Sequence, residues 1–139
     1  MGMVGGLDLH RRQITFDVVE VESGEEWRGR VWQPDRDRFR RWLRDDVTRR
    51  ADGRPVALAV EGCTGWRYVS EELAAADMGV HLGDPAEIAA LRGPKKRAKT
   101  DRADARLLRT LLLEGRFRSR GSRRLMWWRC APWAGCTAR

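Results

Sequence analysis

Cysteine is scarce in this 139-residue chain, and its three copies form no pattern. Cys63, Cys130 and Cys136 make neither a C-x-x-C pair nor a zinc spacing. Cys63 is expected to pack as a small apolar residue in a reducing compartment. No apolar run approaches the roughly 20 residues needed to span a bilayer. The first residues also lack the apolar core of a signal peptide. A bacterial-type cytoplasmic protein without a membrane partner is therefore expected. No internal repeat is visible. Gly2-Met3-Val4-Gly5-Gly6 is not a phosphate loop, because it precedes a strand instead of joining a strand to a helix. Acidic residues are absent from 116–139, a segment that carries seven arginines.

That last absence explains most of the charge. The formal net charge is +8, but without residues 116–139 there are 21 basic and 20 acidic residues, a net of +1. The overall basicity is therefore weak evidence about the rest of the chain. A local patch says more: Arg92, Lys95, Lys96, Arg97, Lys99 and Arg102 face only Asp101 in the same stretch. Such a cluster suits phosphate contacts, against the plainer reading of a solvated loop. Hydrophobic residues make up 42% of the chain, enough for a core in one ordinary domain.

Residues 4–9 read as a buried strand and His10-Arg11-Arg12 as a turn. Gln13 to Val21 gives a second strand with Ile14, Phe16 and Val18 on one face at period two. Glu26 to Gln33 gives a third, with Trp27 and Val31 on one face, completing an antiparallel meander. Pro34-Asp35 opens a helix whose apolar face is Phe39, Trp42, Leu43 and Val47, and Asp52-Gly53 ends it. Residues 55–60 form the short continuous apolar run of a central parallel strand. Thr64 is placed to cap a helix with Trp66, Val69, Leu73 and Ala76 inward. Residues 78–82 read as a fifth strand, Asp84-Pro85 starts a short helix to about Leu91, and a last helix runs from Asp101 to Glu114, closed by Gly115. The order β-β-β-α-β-α-β-α is that of the ribonuclease H-like (RuvC-like) α/β fold, a mixed sheet with helices on its faces.

Four acids stand out within this order. Asp8 interrupts one apolar run, Glu61 ends another, and Asp101 and Asp104 lie three apart at the head of the last helix. Each has a plain explanation: a strand end for Asp8, a turn for Glu61, and a capping-box-like pair for Asp101 and Asp104. On one fold they converge. The first and fourth strands would be neighbours, bringing Asp8 beside Glu61 at the carboxyl ends of central strands. Asp101 and Asp104 share a helix face that Leu108 and Leu111 continue toward the core. Carboxylates brought together in this way make sense around divalent cations serving phosphoryl transfer. His10 reads as a surface-turn histidine near this site, and His81 lies on the fifth strand with no nucleophile to serve. Trp66 is read as core packing, with base stacking as the rival role.

Three segments, in order, resemble a known family: Gly6-Leu7-Asp8-Leu9-His10, then Glu61-Gly62-Cys63-Thr64-Gly65-Trp66, then Lys99-Thr100-Asp101-Arg102-Ala103-Asp104-Ala105. They are similar to the DEDD transposases of the insertion-sequence one-ten family, over about residues 3–116. The resemblance implies a RuvC-like catalytic domain spanning 1–116 with Asp8, Glu61, Asp101 and Asp104 as catalytic metal ligands. It also implies Mg²⁺, with Mn²⁺ as a substitute, DNA as substrate, a guide RNA transcribed from the element, and work as a homo-oligomer. Two departures accompany it. Glu61-Gly62-Cys63 replaces the family's usual E-A-T or E-S-T. Ser119 and Ser122 match no serine motif of the family's second domain, so an isolated N-terminal domain with incomplete recombination is expected. Residues 117–139, with Trp127, Trp128 and Trp133, are read as a truncated or out-of-frame extension, against an Arg/Trp arm for nucleic acid. The rival functions are a non-catalytic nucleic-acid-binding remnant and, last, an actin-like ATPase, which would need glycine-rich phosphate loops.

Overall fold

The computed structural model describes residues 2–61, 65–83, 86, 88, 90 and 101–114; of Asp101 it describes the backbone alone. Five strands form one sheet in the order β3-β2-β1-β4-β5. They are β1 (Met3–Leu9), β2 (Gln13–Glu20), β3 (Glu26–Trp32), β4 (Val56–Glu61) and β5 (Gly79–Gly83). The first three pair antiparallel, as the short turns between them require. β4 then joins β1 in parallel, and β5 joins β4 in parallel. Each parallel connection needs a crossover, and helices supply it. An antiparallel meander continued by parallel strands on the β1 side is the ribonuclease H-like arrangement that the element order predicted.

The sheet has two unlike faces. On one, Leu7, Ile14, Phe16, Val18, Leu58 and Val60 pack under the helices between β3 and β5. Alternation in β2 places Phe16 within 4.6 Å of Trp27 and 4.9 Å of Trp42, ring centre to ring centre. On the other, Val4, Ala57 and Ala59 pack against Leu108 and Leu112 of the last described helix.

The first helical stretch is not the single helix expected. It is α1 (Arg36–Trp42), a π-helical turn (Leu43–Val47) and α2 (Thr48–Ala51). Asp35 caps α1, its side chain accepting from the backbone N–H of Arg38 at 2.8 Å. Thr48 donates its hydroxyl to the carbonyl of Leu43 at 2.8 Å, spanning the wider turn. Phe39, Trp42, Leu43 and Val47 are all buried, as their spacing predicted.

The second helix, α3 (Trp66–Ala75), departs from expectation at both ends. Gly65 occupies the N-cap at φ +93°, a backbone conformation that glycine tolerates, and no side chain caps the helix. The predicted cap, Thr64, lies outside the described residues. Ala76 is the C-cap and exposed, not inward, because the helix has already ended. The short helix predicted from Asp84 to Leu91 is described only at Ala86, Ile88 and Ala90, which are helical.

A buried acid joins α1 to α3. Glu72 accepts from Arg40 at 2.9 and 2.8 Å and from Arg36 at 3.0 Å. The Arg40 hydrogen bonds, ahead of the one from Arg36, hold its carboxyl at about 2 against an ordinary 4.5. Its folded value lies below its unfolded one, so the stabilisation is whole above about pH 5. It is lost as pH falls from about 4.5 toward 2. Both arginines are half-exposed, so solvent screens the pairs. Glu72→Gln is expected to lower the melting temperature at pH 7 by roughly 5 °C. The difference from wild type should shrink on acid titration followed by circular dichroism; a constant difference would remove this role from Glu72.

Candidate functional site

The last described helix, α4 (Asp101–Leu113), crosses the second face of the sheet directly over β1. Gly6 permits this approach. A Cβ there would stand 2.2 Å from the carbonyl oxygen of Ala105, 2.7 Å from Leu108 Cβ and 2.8 Å from the amide nitrogen of Arg109. Val4 clusters with Leu108 and Leu112, further along the helix. β1 and α4 therefore run in opposite directions, and the first turn of α4 lies toward the Asp8 end of β1.

This geometry places the backbones of Asp8, Glu61 and Asp104 toward one end of the sheet. Asp8 is two residues beyond Gly6 and shares its face. Asp104 lies in the first turn of α4. The two are buried, at 6% and 5% exposure. The parallel ladder of β1 and β4 is recorded to Leu7↔Val60, and Asp8 and Glu61 are the next residues on each strand. Glu61 shares a face with Ala57 and Ala59 at period two and is half-buried. The backbone of Asp101 starts α4; its side chain lies outside the described residues. So do Arg92, Lys95, Lys96, Arg97 and Lys99, which leaves Arg102, exposed on α4, as the described member of the basic patch.

His10 does more than occupy a surface turn. Its Nε2 lies 2.9 Å from Asp8 Oδ2, so the imidazole holds one carboxylate oxygen from the solvent side. Thr15 lies directly across the β1–β2 ladder from Asp8 and is 3% exposed. Among the described residues its hydroxyl has no hydrogen-bond partner. A buried hydroxyl without a protein partner is costly, so this oxygen is free to act as a further donor atom beside Asp8. Two buried carboxylates with such a hydroxyl are hard oxygen donors suited to a divalent cation. Among the described residues alone, however, no three His, Cys, Asp or Glu side chains stand close enough to hold a metal ion.

Sequence reasoning missed a second charged group on this face. Asp17, two residues from Thr15, is buried and pairs with the guanidinium of Arg109 on α4. Arg28 reaches Asp17 at 3.3 Å, and Arg109 also donates to Glu26 at 3.2 Å. Burial pushes the Asp17 carboxyl up; the Arg109 and Arg28 charges oppose that without cancelling it. The alternation of β2 contained the signal, since Thr15 and Asp17 sit opposite Ile14, Phe16 and Val18. It needed the knowledge that a helix covers that face.

No helix among the described residues is long and apolar enough to cross a membrane. No protein-family model matches the sequence, and no curated protein matches it. Among solved structures, the chain is similar to one described as T. thermophilus RuvC in complex with Holliday junction substrate. That likeness has 15% identity and a TM-score of 0.48, and it covers 78% of this chain and 91% of that one.

Proposed function

We propose that this chain is the catalytic-type N-terminal domain of an insertion-sequence transposase or recombinase, serving metal-dependent cleavage or transfer of DNA strands. The observation that carries the reading is the burial of Asp8 and Asp104 on one face, where β1 and the start of α4 meet. The β1–β4 register, in which Asp8 and Glu61 follow the Leu7–Val60 pair, supports it, as does the Thr15 hydroxyl, which has no partner among the described residues. Asp8, Glu61, Asp101 and Asp104 would hold the cations, Mg²⁺ or Mn²⁺, with His10 steadying Asp8. Bound there, the cations would neutralise the carboxylates and stabilise charge developing on the scissile phosphate. The exposed Arg102 and the basic segment before it would hold flanking phosphates. An element-encoded guide RNA and assembly into multimers belong to the same proposal and rest on the sequence resemblance.

Calorimetry with Mn²⁺ on the full chain, followed by nicking of supercoiled plasmid, tests this reading. Saturable binding is expected, at least roughly tenfold weaker in Asp8→Asn and in Asp104→Asn, each losing about 1.4 kcal/mol or more. Nicking should require the metal and disappear in both variants while melting is preserved. A folded wild type that binds no Mn²⁺, with or without DNA, would overturn the metal site. DNA binding without nicking would identify a binding module instead.

A further inference from the structure

A groove of about 400 Å³ opens beside the acidic site. It is lined on the β2–β3 side by Thr15, Asp17, Arg28, Arg30 and Trp32, and on the helix side by Arg102. The ladder explains this lining. Thr15 pairs with Arg30, Asp17 with Arg28 and Gln13 with Trp32, so alternate residues of both strands share one face. α4 covers that face only in part, and the outer strand stays open.

Charge and aromatic character are distributed unevenly along the groove. Asp17 and Glu26 offset Arg28 and Arg109. Among the described residues Arg30 and Arg102 form no ion pair, so both guanidiniums are available to a phosphate. At its outer end Trp32 is 57% exposed, the one large hydrophobic side chain so exposed among the described residues. The Arg30 guanidinium lies 5.6 Å from its ring centre. At the inner end Thr15, whose hydroxyl has no described partner, adjoins Asp8. An exposed indole beside the Arg30 guanidinium, with Arg102 lining the same groove, matches a polyanion with free π-faces.

We infer that this groove is a subsite for single-stranded DNA, in which a base stacks on Trp32 and neighbouring phosphates lie against Arg30 and Arg102. A duplex hides its base faces within the stack, so Trp32 discriminates for an unpaired strand. Thr15 lies at the groove's inner end and pairs across the ladder with Asp8, so a strand seated on Trp32 would extend toward the acids. The inference rests on the proposed DNA-processing role for its choice of occupant.

The test is binding of a labelled mixed-sequence 20-mer DNA to the full chain, read by fluorescence anisotropy with chelator present. Leaving out metal separates this result from the fate of the metal site. Trp32→Ala is expected to weaken single-strand binding roughly tenfold, Trp32→Phe much less, and duplex binding little. Arg30→Ala and Arg102→Ala should each lower the salt slope by about 0.7. Photo-crosslinking with 5-iododeoxyuridine in the oligonucleotide should mark the peptide containing Trp32. Crosslinks confined to Trp127, Trp128 or Trp133, or unchanged affinity in Trp32→Ala, would overturn the subsite even if plasmid nicking succeeds. Clearly tighter binding of the matching RNA, with the crosslink still on Trp32, would overturn DNA as the occupant.

Discussion

Arg109→Ala is expected to destabilise the fold by about 3–5 kcal/mol, because it leaves the buried Asp17 carboxylate without its main partner. Taking an acid out of water costs several kcal/mol, and here the guanidinium offsets that cost. Even with the guanidinium present, burial dominates and raises the Asp17 value. Without it the carboxyl rises further, and the folded variant holds a proton that the unfolded chain releases near pH 4. The folded state then binds more protons, so the variant loses stability, relative to wild type, as pH rises through the interval between those two values. The deficit should therefore be smallest near pH 4 and largest at neutral pH. Asp17→Asn added to Arg109→Ala should recover part of the loss, since a neutral amide is cheaper to bury than a charge. Denaturant melts of the two variants at pH 4 and pH 7 check both points. A loss independent of pH and untouched by Asp17→Asn would mean that Arg109 acts through packing alone.

The same cluster marks where sequence reading stopped. Period-two and helical patterns made Ile14, Phe16 and Val18, and Phe39, Trp42, Leu43 and Val47, legible as core. Those residues are buried, because the hydrophobic effect rewards such patterns directly. The strand read over 55–60 runs Val56–Glu61, a shift of one residue. Tertiary contacts were harder to read. The π-turn depends on Thr48 closing on Leu43, a local bond with no sequence period. Thr15, Asp17, Arg28 and Arg30 alternate with the apolar face as the polar side of any half-buried strand pair does, and only the passage of α4 makes part of that face interior. For the acids, the spacing of Asp101 and Asp104 and the neighbouring of β1 and β4 were legible. The burial of Asp8 with Asp104 was not, because it depends on how closely a helix can approach a strand.

That approach distance makes Gly6→Ala the sharper probe. A methyl group at position 6 meets the backbone of α4 at Ala105 and Arg109, together with Leu108 Cβ, all within 2.8 Å. None of these is the flexible end of a side chain, so relief requires the helix to lift or slide. Overpacking of this kind costs about 3 kcal/mol, toward the upper end of its usual range. The better strand propensity of alanine returns only a fraction of that. A fall of roughly 10 °C in melting temperature is expected. On the proposed metal-binding role, Mn²⁺ affinity should suffer more than the fold. α4 carries Asp104 and Arg102, so displacing it separates Asp104 from Asp8 and widens the groove beside Thr15. Where the variant stays folded, Mn²⁺ binding should weaken beyond what the melting shift explains, while a substitution of equal thermal cost at Glu72 leaves it intact. Wild-type melting and wild-type Mn²⁺ affinity in Gly6→Ala would place α4 farther from β1 than the sheet geometry requires. Equal losses from Gly6 and Glu72 substitutions would show that the site senses global stability, not the seating of one helix.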